Sequence, residues 1–134
     1  MRLSLNRNLP LTVRLDLDTM RKIVSLQLDA IEKYPPLSTL STVAYLILRR
    51  AISDKTIEEI AEEVANTQHS WLRHITTLRV DSETDEKLTQ TAKFLGIDGG
   101  KSIVASRLII KYAPTTTIED LIRQWKKELF PHLP

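Results

Sequence analysis

The chain has no cysteine, no long hydrophobic run, and a formal net charge of only +2 over 134 residues. Each shortage excludes something. Without thiols there is no disulfide framework and no thiolate chemistry, which fits a reducing compartment. The three histidines, His69, His74 and His132, are not at metal-ligand spacing, so no structural zinc and no other cofactor is expected. The longest unbroken apolar run, Val43 to Leu48, is far too short to span a bilayer. The N-terminus carries Arg2 and Arg7 but neither an apolar stretch nor a small-residue cleavage site, so no signal peptide is expected and the cytoplasm is the default location. There is no glycine-rich phosphate loop, no nucleophile motif and no carboxylate pair forced inward, so no enzymatic activity is expected. With charges nearly balanced, any nucleic-acid surface has to come from local clustering. The hydrophobic content of 42% and charged content of 27% are those of a globular protein rather than a disordered one.

What the chain does have is a pattern that occurs twice. Residues 12–16 read Thr-Val-Arg-Leu-Asp and residues 77–81 read Thr-Leu-Arg-Val-Asp. Alternation predicts a strand over Leu11–Leu15, with Leu11, Val13 and Leu15 on one face and Thr12 and Arg14 on the other. It predicts a second over Thr76–Val80, with Leu78 and Val80 inward and Thr77 and Arg79 outward. A helix follows each, capped by Asp16 or Asp18 in the first copy and by Asp81 or Ser82 in the second, where Ser82 with Asp85 resembles a capping box. The first is expected to run to about Lys33, before Pro35 and Pro36; the second covers Glu83–Leu95 and ends at Gly96. The copies are 65 residues apart from Arg14 to Arg79 and from Ile23 to Leu88, then 61 apart. At that second spacing Ser41 matches Ser102 as a helix cap, Val43, Ala44, Ile47 and Leu48 match Val104, Ala105, Leu108 and Ile109, and Thr56–Ile60 lies over Thr117–Leu121. The drop implies about one extra helical turn in the first copy, which preserves the buried face. Residues 1–66 thus form one repeat, 67–75 a connector and 76–134 a second repeat, fused into one domain.

Short strands with a single apolar face cannot stand alone, so the two are expected to pair antiparallel over the helices. Their other face then presents Thr12, Arg14, Thr77 and Arg79 to solvent, with Pro10 and Ile75 as the next outward positions. A two-stranded ribbon fits the major groove of B-form DNA, and arginine matches guanine O6 and N7.

The segments from Thr12 to Arg50 and from Thr77 to Tyr112 resemble the ribbon-helix-helix superfamily of Arc-, MetJ- and CopG-type repressors. The second copy matches better, with Leu-Arg-Val-Asp, the inward Leu88, Gly96, and Gly-Lys-Ser-Ile-Val-Ala-Ser entering an apolar helix. The likeness covers about two thirds of the chain. It implies a mainly α fold, here a tandem single-chain pseudo-dimer with one antiparallel two-stranded ribbon; the extra helix expected in each repeat is not part of the minimal family unit. It also implies double-stranded DNA as partner, base readout by Thr12, Arg14, Thr77 and Arg79, and phosphate contacts at the second-helix N-termini. The matching positions are Leu40, Ser41 and Thr42 in the first copy and Lys101, Ser102 and Ile103 in the second, where free N–H groups and the helix dipole favour an anion. Tandem members occur among accessory proteins of conjugative plasmids. Transcriptional repression or regulation of a plasmid or other mobile element is the expected role, with self-association on DNA and a protein partner for the extra helices as further expectations.

Each of these residues also has a plainer reading. Arg14 and Arg79 can be solvated strand residues that guard an edge, and Thr12 and Thr77 are good strand formers. Lys101 with Ser102 can be a helix cap beside a surface lysine, whereas the flanking Gly99 and Gly100 favour the phosphate clamp by letting a backbone approach closely. Arg2 and Arg7 can track a DNA backbone or do nothing. Trp125, in register with Ile118, Leu121 and Ile122, is expected in the core; Trp71 falls in the connector. Glu58, Glu59, Glu62 and Glu63 read as a solvated face or a docking strip for a basic partner, and Lys126 and Lys127 as helix-end charge. The competing class is an antitoxin- or inhibitor-like protein-interaction module.

Overall fold

The computed structural model describes residues 7–67, 74–97 and 100–130. In chain order it runs β1 (Leu9–Leu15), α1 (Leu17–Lys33), a 3-10 turn (Pro35–Leu37), α2 (Leu40–Ile52) and α3 (Ile57–Ala65). It continues with β2 (His74–Val80), α4 (Ser82–Leu95), α5 (Lys101–Tyr112), a second 3-10 turn (Ala113–Thr115) and α6 (Ile118–Leu129). The architecture is mainly α, with six α-helices and one two-stranded sheet among the described residues. No helix among them is long and apolar enough to cross a membrane.

The strands pair antiparallel and each begins two residues earlier than alternation alone predicts. Leu11, Val13, Leu15, Leu78 and Val80 are buried, so the hydrophobic alternation fixes which face is inward. Thr12 stands opposite Thr77, Pro10 opposite Arg79, and Arg14 opposite Ile75. The Arg14 N–H donates to Ser106 Oγ at 2.9 Å and the Arg79 N–H to Ser41 Oγ at 3.3 Å, so neither serves the ladder. Their cross-strand pairs are therefore of the non-hydrogen-bonded kind, and Pro10, opposite Arg79, costs no ladder bond.

The helices begin and end for identifiable reasons. Asp16 caps α1 by accepting from the Thr19 N–H at 2.8 Å. Thr56 and Thr117 each form a complete capping box, with Glu59 and Asp120. Gly96 ends α4 in the left-handed conformation, φ 66°. α1 has 17 residues and α4 has 14, a difference of a little under one turn. Three cap assignments need correction. The helices start at Leu40 and Lys101, so Ser41 and Ser102 are not caps but the second residues of their helices. Thr39 caps α2 through the Thr42 N–H, whereas Gly100 precedes α5 with no side-chain cap. There is no Ser82–Asp85 box, because Ser82 is already helical and the Asp85 carboxylate is paired with Lys101.

Packing crosses between the two halves. α5 lies along β1 and α2 along β2, α2 and α5 pack on each other, α3 rests on α4 and α5, and α6 on α1 and α2. α2 is apolar nearly all round and is buried from Thr42 to Leu48 and at Ala51 and Ile52, as a central helix must be. Leu88 is fully buried, and Trp125 is partly buried against the core edge; Trp71 lies outside the described residues. Polar groups tie the crossings together. The Arg49 guanidinium donates to Glu128 at 2.8 Å and Thr84 at 3.1 Å, and Arg50 pairs with Asp120 at 3.5 Å. Glu63 does not belong to the solvated acidic strip: half-buried, it pairs with Lys55 at 2.8 Å and accepts from the Tyr112 hydroxyl. Glu58, Glu59 and Glu62 are exposed. Lys127, in the last turn of α6, reaches Ser53 and Asp54.

Candidate nucleic-acid interface

The outer face of the ribbon carries Pro10, Thr12 and Arg14 from β1 and Ile75, Thr77 and Arg79 from β2, and all six are exposed. The register is symmetric about the Thr12–Thr77 pair. Arg14 lies two residues beyond it on one strand and Arg79 two residues beyond it on the other. The guanidinium groups therefore stand at opposite ends of the face, over opposite strands, with the threonines between them. Pro10 and Ile75 do face outward, Ile75 at 57% exposure, so the polar surface narrows to two threonines and two arginines. One arginine is tethered: the Arg79 guanidinium donates to the Asn8 carbonyl at 3.2 Å.

The second-helix N-termini flank this face. Ser41, in the first turn of α2, accepts from the Arg79 backbone, so α2 begins beside that end of the ribbon. On the other side Ser106 accepts from the Arg14 backbone and donates to the Ser102 carbonyl at 2.6 Å, linking α5 to β1. Among the expected phosphate positions, the Thr42 N–H is taken by Thr39 Oγ and the Ile103 N–H by the Gly100 carbonyl. This leaves Leu40 and Ser41 on α2, and Lys101 and Ser102 on α5, with N–H groups outside the helix ladder. The Lys101 ammonium is ion-paired with Asp85, which reduces its charge toward an approaching anion.

Arg7 is not a free arm. Its guanidinium sits 4.9 Å from the Tyr45 ring centroid and donates to Thr42 Oγ1 at 2.9 Å. Burial lowers its pKa, Tyr45 opposes that shift, and Nη1 is buried without a partner among the described residues. Tyr45 in turn donates to Asp81 at 2.9 Å. Its hydroxyl is held well above the ordinary phenol range, first by burial and then by the Asp81 carboxylate. Burial pushes Asp81 upward, but hydrogen bonds from Thr84 and Tyr45 and the charge of Arg49 outweigh it and leave its pKa lowered. The chain Arg7–Tyr45–Asp81–Thr84 thus braces the entry to α4 against α2 and the segment before β1. Arg2 and Gly99 lie outside the described residues.

Sequence reasoning missed Ser106, Thr39, Tyr45 and the Asn8 carbonyl. Only Thr39 left a signal, a hydroxyl three residues ahead of Thr42. The other three act on partners 36 to 92 residues away or through the backbone. Among the described residues no group of three or more His, Asp or Glu is placed to hold a metal ion. Comparison with protein-family models, with curated proteins and with solved structures found no match.

Proposed function

We propose that this chain is a tandem ribbon-helix-helix pseudo-dimer that binds double-stranded DNA sequence-specifically and performs no catalysis. The ribbon enters the major groove, Arg14 and Arg79 each contact a guanine, and Thr12 and Thr77 face the bases between them. Backbone N–H groups at the starts of α2 and α5 hold the flanking phosphates, with Ser41 and Ser102 beside them. The role is transcriptional repression or regulation of a plasmid or other mobile element. One observation carries the reading: an uncovered two-stranded ribbon whose two exposed arginines are related through a central threonine pair. The test is selection of bound sequences from random duplex DNA at two salt concentrations. A preferred site whose affinity falls steeply with salt is expected, because released counterions drive phosphate binding. No retention on duplex DNA at low salt would refute it.

A protein-interaction module is the second reading, and a specific observation favours it. Ile75 and Pro10 place apolar surface on the ribbon, while Arg7 and Lys101 are engaged within the fold. In that version the ribbon face docks a protein as an antitoxin or inhibitor would, and the same selection returns no enriched sequence.

A further inference from the structure

Helix α1 has two apolar faces. Ile23, Leu26 and Ala30 point into the core with Thr19 beside them. At ~100° per residue, Leu17, Val24, Leu28 and Ile31 fall on roughly the opposite side. These four are exposed, at 46, 37, 60 and 52%. They follow one another at steps of seven, four and three residues, the spacing of a helix–helix seam. Single exposed apolar side chains are ordinary, whereas a continuous row of four marks a contact surface. The fold does not require the row. In α4, which occupies the matching place in the second half, the residues at the 65-residue spacing are Ser82, Thr89 and Lys93.

We infer that this row is where a second copy of the chain docks, α1 against α1 in antiparallel orientation. Charge selects that occupant. Arg21 and Asp29 border the shallow groove that runs beside Leu17, Met20, Val24 and Leu28. The row is flanked by a cation, Arg21, in its N-terminal half and by two carboxylates, Asp29 and Glu32, in its C-terminal half. Asp18 and Lys22, one turn apart, offset each other. An antiparallel copy sets each cation against the other chain's carboxylates, with Arg21 opposite Asp29 about a twofold axis at Ser25. A parallel copy would set like charges together. Because α4 lacks the row, the contact is used once per chain and the assembly closes at two. A seam confined to one helix buries less than the ~1,600 Å² of a standard interface, so the dimer is a reversible one. The contact is independent of what the ribbon binds.

Sedimentation equilibrium of the whole chain without DNA tests this. The expected result is a reversible monomer–dimer equilibrium. The double variant Leu28→Glu with Ile31→Glu should weaken it by about a hundredfold or more, with circular dichroism and melting unchanged because both residues are exposed. Arg21→Asp and Asp29→Arg should each weaken association by roughly three- to tenfold, and an equimolar mixture of the two variants should restore it, since opposite charges then meet at both crossings. A monomer at ~1 mM would overturn the inference. So would association insensitive to the double variant, assemblies larger than two copies, or a mixture no stronger than its components.

Discussion

Arg14→Ala combined with Arg79→Ala removes the two exposed cations of the ribbon face while leaving its buried face intact. Position 10, opposite Arg79, and position 14 are four residues apart on β1, which is about 13 Å at ~3.3 Å per residue. Successive phosphates of one DNA strand are spaced by ~3.4 Å along the axis, so on the proposed reading the two arginines would contact bases about four pairs apart. If the ribbon reads DNA as proposed, the symmetry about Thr12 and Thr77 calls for one guanine on each DNA strand. Each bidentate arginine–guanine contact contributes ~1–3 kcal/mol of discrimination. The double variant should therefore lose roughly 30-fold to roughly 10⁴-fold in affinity for the selected site. Affinity for unselected duplex, held through the backbone, should fall much less. Fluorescence anisotropy with the selected duplex and a shuffled one, each at two salt concentrations, separates the two effects. Thermal melting should stay within ~0.5 kcal/mol of the parent, since both side chains are on the surface. Equal loss on both duplexes, or none on the selected one, would refute base reading by these residues.

Ile47→Ala, in the wholly buried centre of α2, should cost ~2–5 kcal/mol in urea unfolding; a cost below ~1 kcal/mol would mean that the core collapses around the cavity. Thr56→Ala and Thr117→Ala each break a capping box and should cost ~1 kcal/mol, with the two effects additive in the double variant because the boxes open separate helices. Asp81 has its folded pKa below the ordinary 3.8, so its contribution is present above that value and is lost as pH falls through the folded pKa. Melting followed from pH 7 to pH 2 should show a shallower acid decline for Asp81→Asn than for the parent, and identical slopes would assign the decline to other carboxylates.

Strand pairing and helix order were legible in the sequence because they rest on local periodicity. Val13, Leu15, Leu78 and Val80 can be buried together only if Arg14 and Arg79 point away. The helix caps were harder. Ser38-Thr39-Leu40-Ser41-Thr42 offers four hydroxyls in five residues, and only the phase at which α2 packs selects Thr39. Lys101 looked available to a phosphate because its partner, Asp85, lies sixteen residues back on another helix. Glu63 looked solvated for the same reason, its partners being Lys55 and the distant Tyr112. The outward row of α1 escaped a reading that followed only the buried face. Ile23 announces that face, but a residue that faces solvent leaves no such mark until the inward set is known.

The crossings between the halves decide how the ribbon is presented. Each strand is held by the second helix of the other half, α5 along β1 and α2 along β2, and each third helix closes over the other half's helices. The two strands pair across the halves of the chain, so the face bearing Arg14 and Arg79 exists only when both halves are folded together. The serines that take up the Arg14 and Arg79 backbone N–H groups come from these same crossing helices. A shift of α2 or α5 along its strand would break those bonds and move the helix N-termini relative to the arginines at once. The spacing between the ribbon and its flanking N–H groups is thus a property of the core, and, if the chain binds DNA as proposed, substitutions buried between α2 and α5 should alter that affinity in fluorescence anisotropy even though they lie away from the ribbon face.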